Sequence, residues 1–158
     1  MENPSFDLSD VTRRLDRLVS YGTIMQVDNA KKRARVKIGD NETGWLPWLE
    51  LAAATDRTWV PRIKGEQVVV IASAGNFNQG IILGAVNQAQ FPAPANSDTL
   101  HRTKYGDGAI IEYDRKNSTY HIALPENGKF LITIGTVEFA LTKGGLRAVT
   151  PDVDWKKG

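Results

Sequence analysis

The sequence predicts a mainly β chain: a short N-terminal helix, a small closed barrel, and a ladder of strands that its own residues cannot finish covering. Three observations lead there. After residue 98, turn signals recur at Gly106-Asp107-Gly108, residues 115–118, residues 125–128, Gly135-Thr136 and residues 143–145. They leave only short runs, 109–113, 119–124, 129–134, 137–142 and 146–150, at nearly even spacing and with no helical stretch between them. Within residues 21–88, five strand-like runs alternate with turn residues. Between these two regions, residues 89–98 carry two prolines among small residues and read as an extended, stiff linker. A ladder of such short strands exposes edges and makes no thick core alone. It suggests a segment completed by copies of itself, and hence a structural protein before an enzyme.

Composition narrows the class further. The chain has 158 residues, 41% of them hydrophobic, so it is globular rather than disordered. Its longest apolar run, residues 68–72, is far too short for a membrane-spanning helix. Met-Glu-Asn-Pro-Ser at the start has neither a basic nor an apolar signal region, so no secretory signal is expected. Cysteine is absent, which excludes disulfides and thiol chemistry and fits assembly in a reducing cytoplasm. A net charge of +2 is far from a nucleic-acid-binding signature.

The elements follow in order. Residues 5–20 predict a helix, capped by Ser5 or Asp7, with Leu8, Val11, Leu15 and Leu18 on one narrow stripe. The 3-4-3 spacing suits packing on a sheet of the same chain or self-association, although two heptads alone are marginal. Residues 21–88 predict the barrel, with strands at 22–28, 33–38, 44–51, 67–73 and 80–86, an arrangement that fits an OB-like fold. In the second run Arg33, Arg35 and Lys37 alternate with Ala34, Val36 and Ile38, so the cluster with Lys31 and Lys32 marks a turn and a wet strand face. Pro47 within 44–51 argues for an edge or a break. The linker follows at 89–98 and the strand ladder at 99–158.

Few residues offer chemistry. Glu112 and Asp114 lie two apart and share a strand face, but a carboxylate pair serves glycoside hydrolysis only when a pocket tunes its pKa values. No Gly-x-Ser-x-Gly elbow, P-loop or His-Glu-x-x-His is present. His121 reads as an ordinary strand histidine and His101, just after the linker, as equally ordinary, because a metal site needs converging ligands. Trp45, Trp48 and Trp59 suit a core or an interchain interface better than a base-stacking platform, since their flanks are Leu46, Leu49 and Leu51. Catalytic residues, cofactors and a metal site are therefore not expected.

The carrying stretches of a family resemblance run through the whole chain. They are Tyr21-Gly22-Thr23-Ile24 with Val27-Asp28, Ala34-Arg35-Val36-Lys37, and Thr43-Gly44-Trp45-Leu46-Pro47-Trp48-Leu49. Arg57-Thr58-Trp59-Val60-Pro61, Gly65-Glu66-Gln67-Val68, Gly80-Ile81-Ile82-Leu83-Gly84 and residues 105–113 continue the series. In this order and spacing they resemble the phage baseplate assembly protein V family, the central spike of contractile phage tails and tail-like bacteriocins.

The resemblance implies a virion structural protein of the tail baseplate, assembled in the host bacterial cytoplasm. It implies a homotrimer whose N-terminal segment and OB-fold-like barrel dock to the tail tube or baseplate hub. The C-terminal strands of three chains would intertwine into a trimeric triangular β-prism or β-helix that pierces the envelope, with transient contact with the bacterial outer membrane. Ile132, Ile134, Val137, Phe139 and Leu141 are the candidates for its axial trimer core. One departure matters: the His-x-His motif with which many members bind iron is missing, so no metal site is carried over. Two alternatives stand for the tip: a separate tip protein completes a short spike, or the chain is cut short. Some relatives insert a lysozyme domain where this sequence has only the linker. The competing class is an oligomeric OB-fold module that binds single-stranded nucleic acid or glycan.

Overall fold

The computed structural model describes residues 8–151. The chain divides into two compact units, Met1–Pro92 and Ala93–Gly158.

The first unit opens with helix α1, Leu8–Asp16. The sequence pattern extends this helix over 5–20; residues 5–7, with the candidate caps Ser5 and Asp7, lie outside the described residues. At the other end the structure stops it at Asp16 and starts strand β1, Val19–Asp28. The cause is tertiary pairing: Val19 and Tyr21, residues that favour strands, sit opposite Ile71 and Val69, and the Ala72 amide donates to the Leu18 carbonyl at 2.9 Å. The helix buries none of its residues. Its Arg14 backbone lies so close to Gly75 that a Cβ there would fall 2.9 Å from the Arg14 Cα. The Arg17 guanidinium lies 5.5 Å from the centre of the Phe77 ring. The arginine side therefore meets the barrel, and the stripe stays exposed, Leu8 at 74% and Leu15 at 63%.

The barrel uses β1, β2 (Arg33–Ile38), β3 (Asn41–Glu42), β4 (Gln67–Ala72) and β5 (Gly80–Val86), in the order β3-β2-β1-β4-β5. Period-two alternation turns Ile24, Val36, Val68, Val70 and Ile82 inward, each 1% exposed or less. The run 44–51 is not a strand, contrary to the sequence expectation. It instead closes the barrel through two isolated bridges, Leu46 to Ala34 on β2 and Trp48 to Ile82 on β5. Leu46 and Ala34 exchange two amide–carbonyl bonds of 2.9 Å each. Pro47 forbids a regular strand because it has no N–H, yet its carbonyl accepts from Ile82 at 2.9 Å. Buried Thr43 supports the corner: its hydroxyl accepts from the Val36 amide at 3.0 Å and donates to the Gly44 carbonyl at 2.8 Å.

The outside of this barrel has two characters. Over β2, Arg33, Arg35 and Lys37 face solvent, with Arg35 3.2 Å from Glu42. Over β1, β4 and β5, the rows Val19–Ile71–Ile81, Tyr21–Val69–Gly84 and Thr23–Gln67–Val86 carry no charge at all.

The second unit holds two antiparallel three-stranded sheets. One is built of β6 (Leu100–Lys104), β7 (Ile110–Asp114) and β8 (Thr119–Ala123); the other of β9 (Phe130–Ile134), β10 (Val137–Thr142) and β11 (Gly145–Val149). Five of these six follow the turn-bounded runs. Strand β6 was not expected, since its polar residues resemble a loop; pairing supplies what propensity does not, with Arg102 opposite Glu112. Gly135, at φ 58°, and Gly145, at φ 122°, take turn conformations that side chains with a Cβ resist. The division between the units falls within the stretch 89–98. Gln88 Nε2 donates to the Gly65 carbonyl at 2.6 Å and pairs its backbone with Phe91, while Arg102 donates to the Pro94 carbonyl at 3.0 Å.

Closure of the barrel by Leu46 gives a direct test. Leu46→Ala removes a side chain that is 1% exposed and leaves a cavity beneath the bridge. Unfolding in denaturant should show a loss of about 2–5 kcal/mol, whereas Leu51→Ala, at a residue 95% exposed, should change little.

Candidate assembly surface

The five residues Ile132, Ile134, Val137, Phe139 and Leu141 come together on one face of the β9-β10-β11 sheet. Register brings them there. The two-residue turn Gly135-Thr136 sets Ile134 opposite Val137, which makes Ile132 face Phe139 and Phe130 face Leu141. The next turn, Lys143-Gly144, sets Leu141 opposite Leu146 and Phe139 opposite Ala148. Phe130, Leu146 and Ala148 were missed in the sequence, though the same counting of paired positions across each two-residue turn finds them.

The face thus carries eight apolar side chains on three strands, and it is open: Ile134 is 76% exposed and Ile132 49%. The opposite face is mixed: Leu131, Ala140 and Val149 lie among Thr133, Glu138, Thr142 and Arg147, and Glu138 lies 3.9 Å from Arg147. Beside the apolar face a groove of about 570 Å³ runs between Tyr120, Ile122 and Leu124 on one side and Phe130 and Leu141 on the other. An ion pair between Lys143 and Glu126 stands at its rim.

The other sheet carries the charged residues. Glu112 sits mid-row between Arg102 on β6 and His121 on β8. Its Oε2 accepts from Arg102 Nε at 2.7 Å, and its Oε1 is 3.4 Å from His121 Nδ1. The hydrogen bond from Arg102 holds the carboxyl below the ordinary glutamate range, against partial burial and with help from His121. Asp114 is likewise held low by the Lys116 amide, against burial, and by Asn117. A general acid needs the opposite shift, so this pair is a poor proton donor near neutral pH. His101 faces Tyr113 across β6 and β7, on the reverse of that sheet from His121. Among the described residues no group of three or more His, Asp or Glu side chains converges as a metal site.

The tryptophans divide. Trp48 is buried and its Nε1 donates to Glu50 at 2.9 Å. Trp59 lies 5.8 Å from Trp48 at 54°, with the Lys32 ammonium 4.8 Å above its ring. Trp45 is half exposed and lies beside Asp28, Lys31 and Arg33. Burial raises the Glu50 pKa, but hydrogen bonds from Trp48 and Thr58 and the charge of Lys32 outweigh it and hold the group ionised. This cluster ties residues 50–60 to the barrel's closing segment; it presents no row of parallel exposed rings on which bases would stack.

Residues 20–86 match the family described as the Type VI secretion system/phage-baseplate injector OB domain. That stretch is the closed barrel, from β1 to the end of β5. The chain is also 31% identical, over 122 residues, to a protein of Escherichia phage P2 described as a spike protein. The match covers 77% of this chain and 57% of that protein, so the chain spans little more than half the relative's length.

The charged row predicts a pH response. Because the folded pKa of Glu112 lies below the ordinary 4.5, its contribution is complete above that value and is lost as pH falls through the folded value. Thermal unfolding followed from pH 7 down to pH 3 should therefore show a smaller acid loss in Glu112→Gln than in the unsubstituted protein. An identical acid loss in both would contradict the pairing.

Proposed function

We propose that this chain, which belongs to the phage baseplate assembly protein V family, is the central spike subunit of a contractile phage tail or tail-like bacteriocin. It acts as a structural homotrimer. The barrel docks to the tail hub or tube, and the strands after residue 98 form, with two further copies, a β-prism that meets the envelope on contraction. The observation that carries the reading is the open apolar face of β9, β10 and β11. Eight apolar side chains on three short strands have no cover within their own sheet, and soluble monomers rarely leave such a patch open.

A threefold arrangement supplies the cover with one kind of surface. Three copies of the face turned toward a common axis bury Ile132, Ile134, Val137, Phe139 and Leu141 against their equivalents. The Thr133, Glu138 and Arg147 side then faces water. The open edges of both small sheets offer unpaired backbone groups to neighbouring copies. The role is mechanical, so rigidity is the property the structure must provide. The match to a phage spike protein and to the injector OB domain supports the same role. For the alternative of a nucleic-acid or glycan module the tryptophans offer no stacked row: Trp48 is buried, Trp59 is capped by Lys32, and Trp45 stands singly beside Lys31 and Arg33.

Phe139→Asp tests the axis. Assembly would set three carboxylates together in an apolar core, a cost of several kcal/mol per charge. Light scattering should give a single chain for this variant, with the Trp48 near-UV signal unchanged because the barrel is intact. Thr133→Lys, on the opposite face, should remain assembled. A normal trimer in Phe139→Asp would remove the axial assignment.

A further inference from the structure

We propose that the outward leucine stripe of α1 packs onto the uncharged outer face of β1, β4 and β5 in a neighbouring copy of this chain, joining the barrels into a closed ring. The proposal rests on the trimer reading above, and it assigns a second contact, formed by the first unit alone.

Among the described residues of that unit, two open apolar surfaces suit each other. One is the helix stripe, Leu8, Val11 and Leu15, of which Leu8 and Leu15 are 74% and 63% exposed, continued by Leu18 just beyond the helix. The helix presents its other side to its own chain, with the Arg14 backbone against Gly75 and Arg17 over Phe77. Helices normally do the reverse, turning arginines to water and leucines to the core. The second surface is the sheet face formed by the rows Val19–Ile71–Ile81 and Tyr21–Val69–Gly84, with Val19 55% and Tyr21 66% exposed. The sequence of β4, Gln-Val-Val-Val-Ile-Ala, is apolar on its inner face and, past Gln67, on its outer face too. Such a strand belongs in a sheet covered on both sides, yet its own chain buries only the inner side fully and leaves Val69 and Ile71 half-buried on the outer one.

The chain cannot bring its own two surfaces together. Only Arg17 and Leu18 separate α1 from β1, and the Arg14–Gly75 contact fixes the side that the helix shows to the barrel. A neighbour's helix fits the sheet in size. Three strands at about 4.8 Å spacing make a floor about 10 Å wide, which is about the diameter of one helix with side chains. The nine residues of α1 extend about 13 Å, within the roughly 20 Å length of the six-residue strand β4. Each copy supplies one helix and one face, so three copies in rotation leave neither open. A contact of this size is too small to hold free chains together. It forms where another contact already keeps the copies adjacent, at high effective concentration.

The chain contains no cysteine, which makes site-directed cross-linking clean. The double variant Leu15→Cys/Tyr21→Cys, both at exposed positions, is treated with a short bis-maleimide reagent and read on a denaturing gel. Native mass is measured on the same sample. Covalent trimers are expected, because each copy joins forward through position 15 and backward through position 21. Each single variant should stay uncross-linked. Covalent dimers from Leu15→Cys alone would place helix against helix and overturn the proposal. A native trimer with no cross-link in the double variant would overturn it too while sparing the trimer reading. A native monomer would remove both.

Discussion

Eight apolar side chains on one face of a three-stranded sheet set the terms for everything else in the second unit. Burial of such a face returns about 25 cal/mol per Å² of apolar surface, and three strands of five or six residues have nothing of their own to lay over it. Register is also fixed by this face, because a slip of one residue would carry Ile132 and Phe139 to the side of Thr133 and Glu138. The two-residue turns at 135–136 and 143–144 hold that register locally. The proposed trimer then answers a requirement already present in one chain.

The first unit solves its core differently. Its barrel closes within a single copy, through Leu46 and Trp48, and Ile24, Val36, Val68, Val70 and Ile82 fill it. What remains open lies on the outside, where the arginines and lysine of β2 face water and the β1-β4-β5 side carries no charge. A division of this kind suits a collar: one part of the wall is wetted and another is free for protein contact. Glu50 adds local rigidity there. A single ionised carboxylate satisfies Trp48 Nε1 and Thr58 Oγ1 and pairs with Lys32, and so anchors a loop that has no regular structure.

The strand ladder was readable because its turns are punctuated by residues with distinctive backbone preferences. Gly135, Gly145 and the Asp107–Gly108 corner place the chain reversals within one residue of where they fall. The common face of Ile132, Ile134, Val137, Phe139 and Leu141 follows from the same turns: once a two-residue turn is located, parity tells which side chains face the same way. Three other features departed from the local apolar pattern. Strand β6 is made of Leu100, His101, Arg102, Thr103 and Lys104, and only the partner β7 makes it a strand. The segment 44–51 has the apolar content of a strand, but Pro47 limits its pairing to isolated bridges. The helix pattern continues past Asp16 in sequence, and pairing of Val19 with Ile71 overrides it. For β6 and the helix end a long-range partner decided the outcome, and local pattern does not report such a partner; at 44–51 it was Pro47.

The native mass of the full chain by light scattering bears most directly on the account, because the open face of β9, β10 and β11 is a property of one chain and its burial is a property of several. The account predicts a mass of three chains that persists on dilution and in mild detergent. A single-chain mass under the same conditions, with the barrel folded, would contradict it.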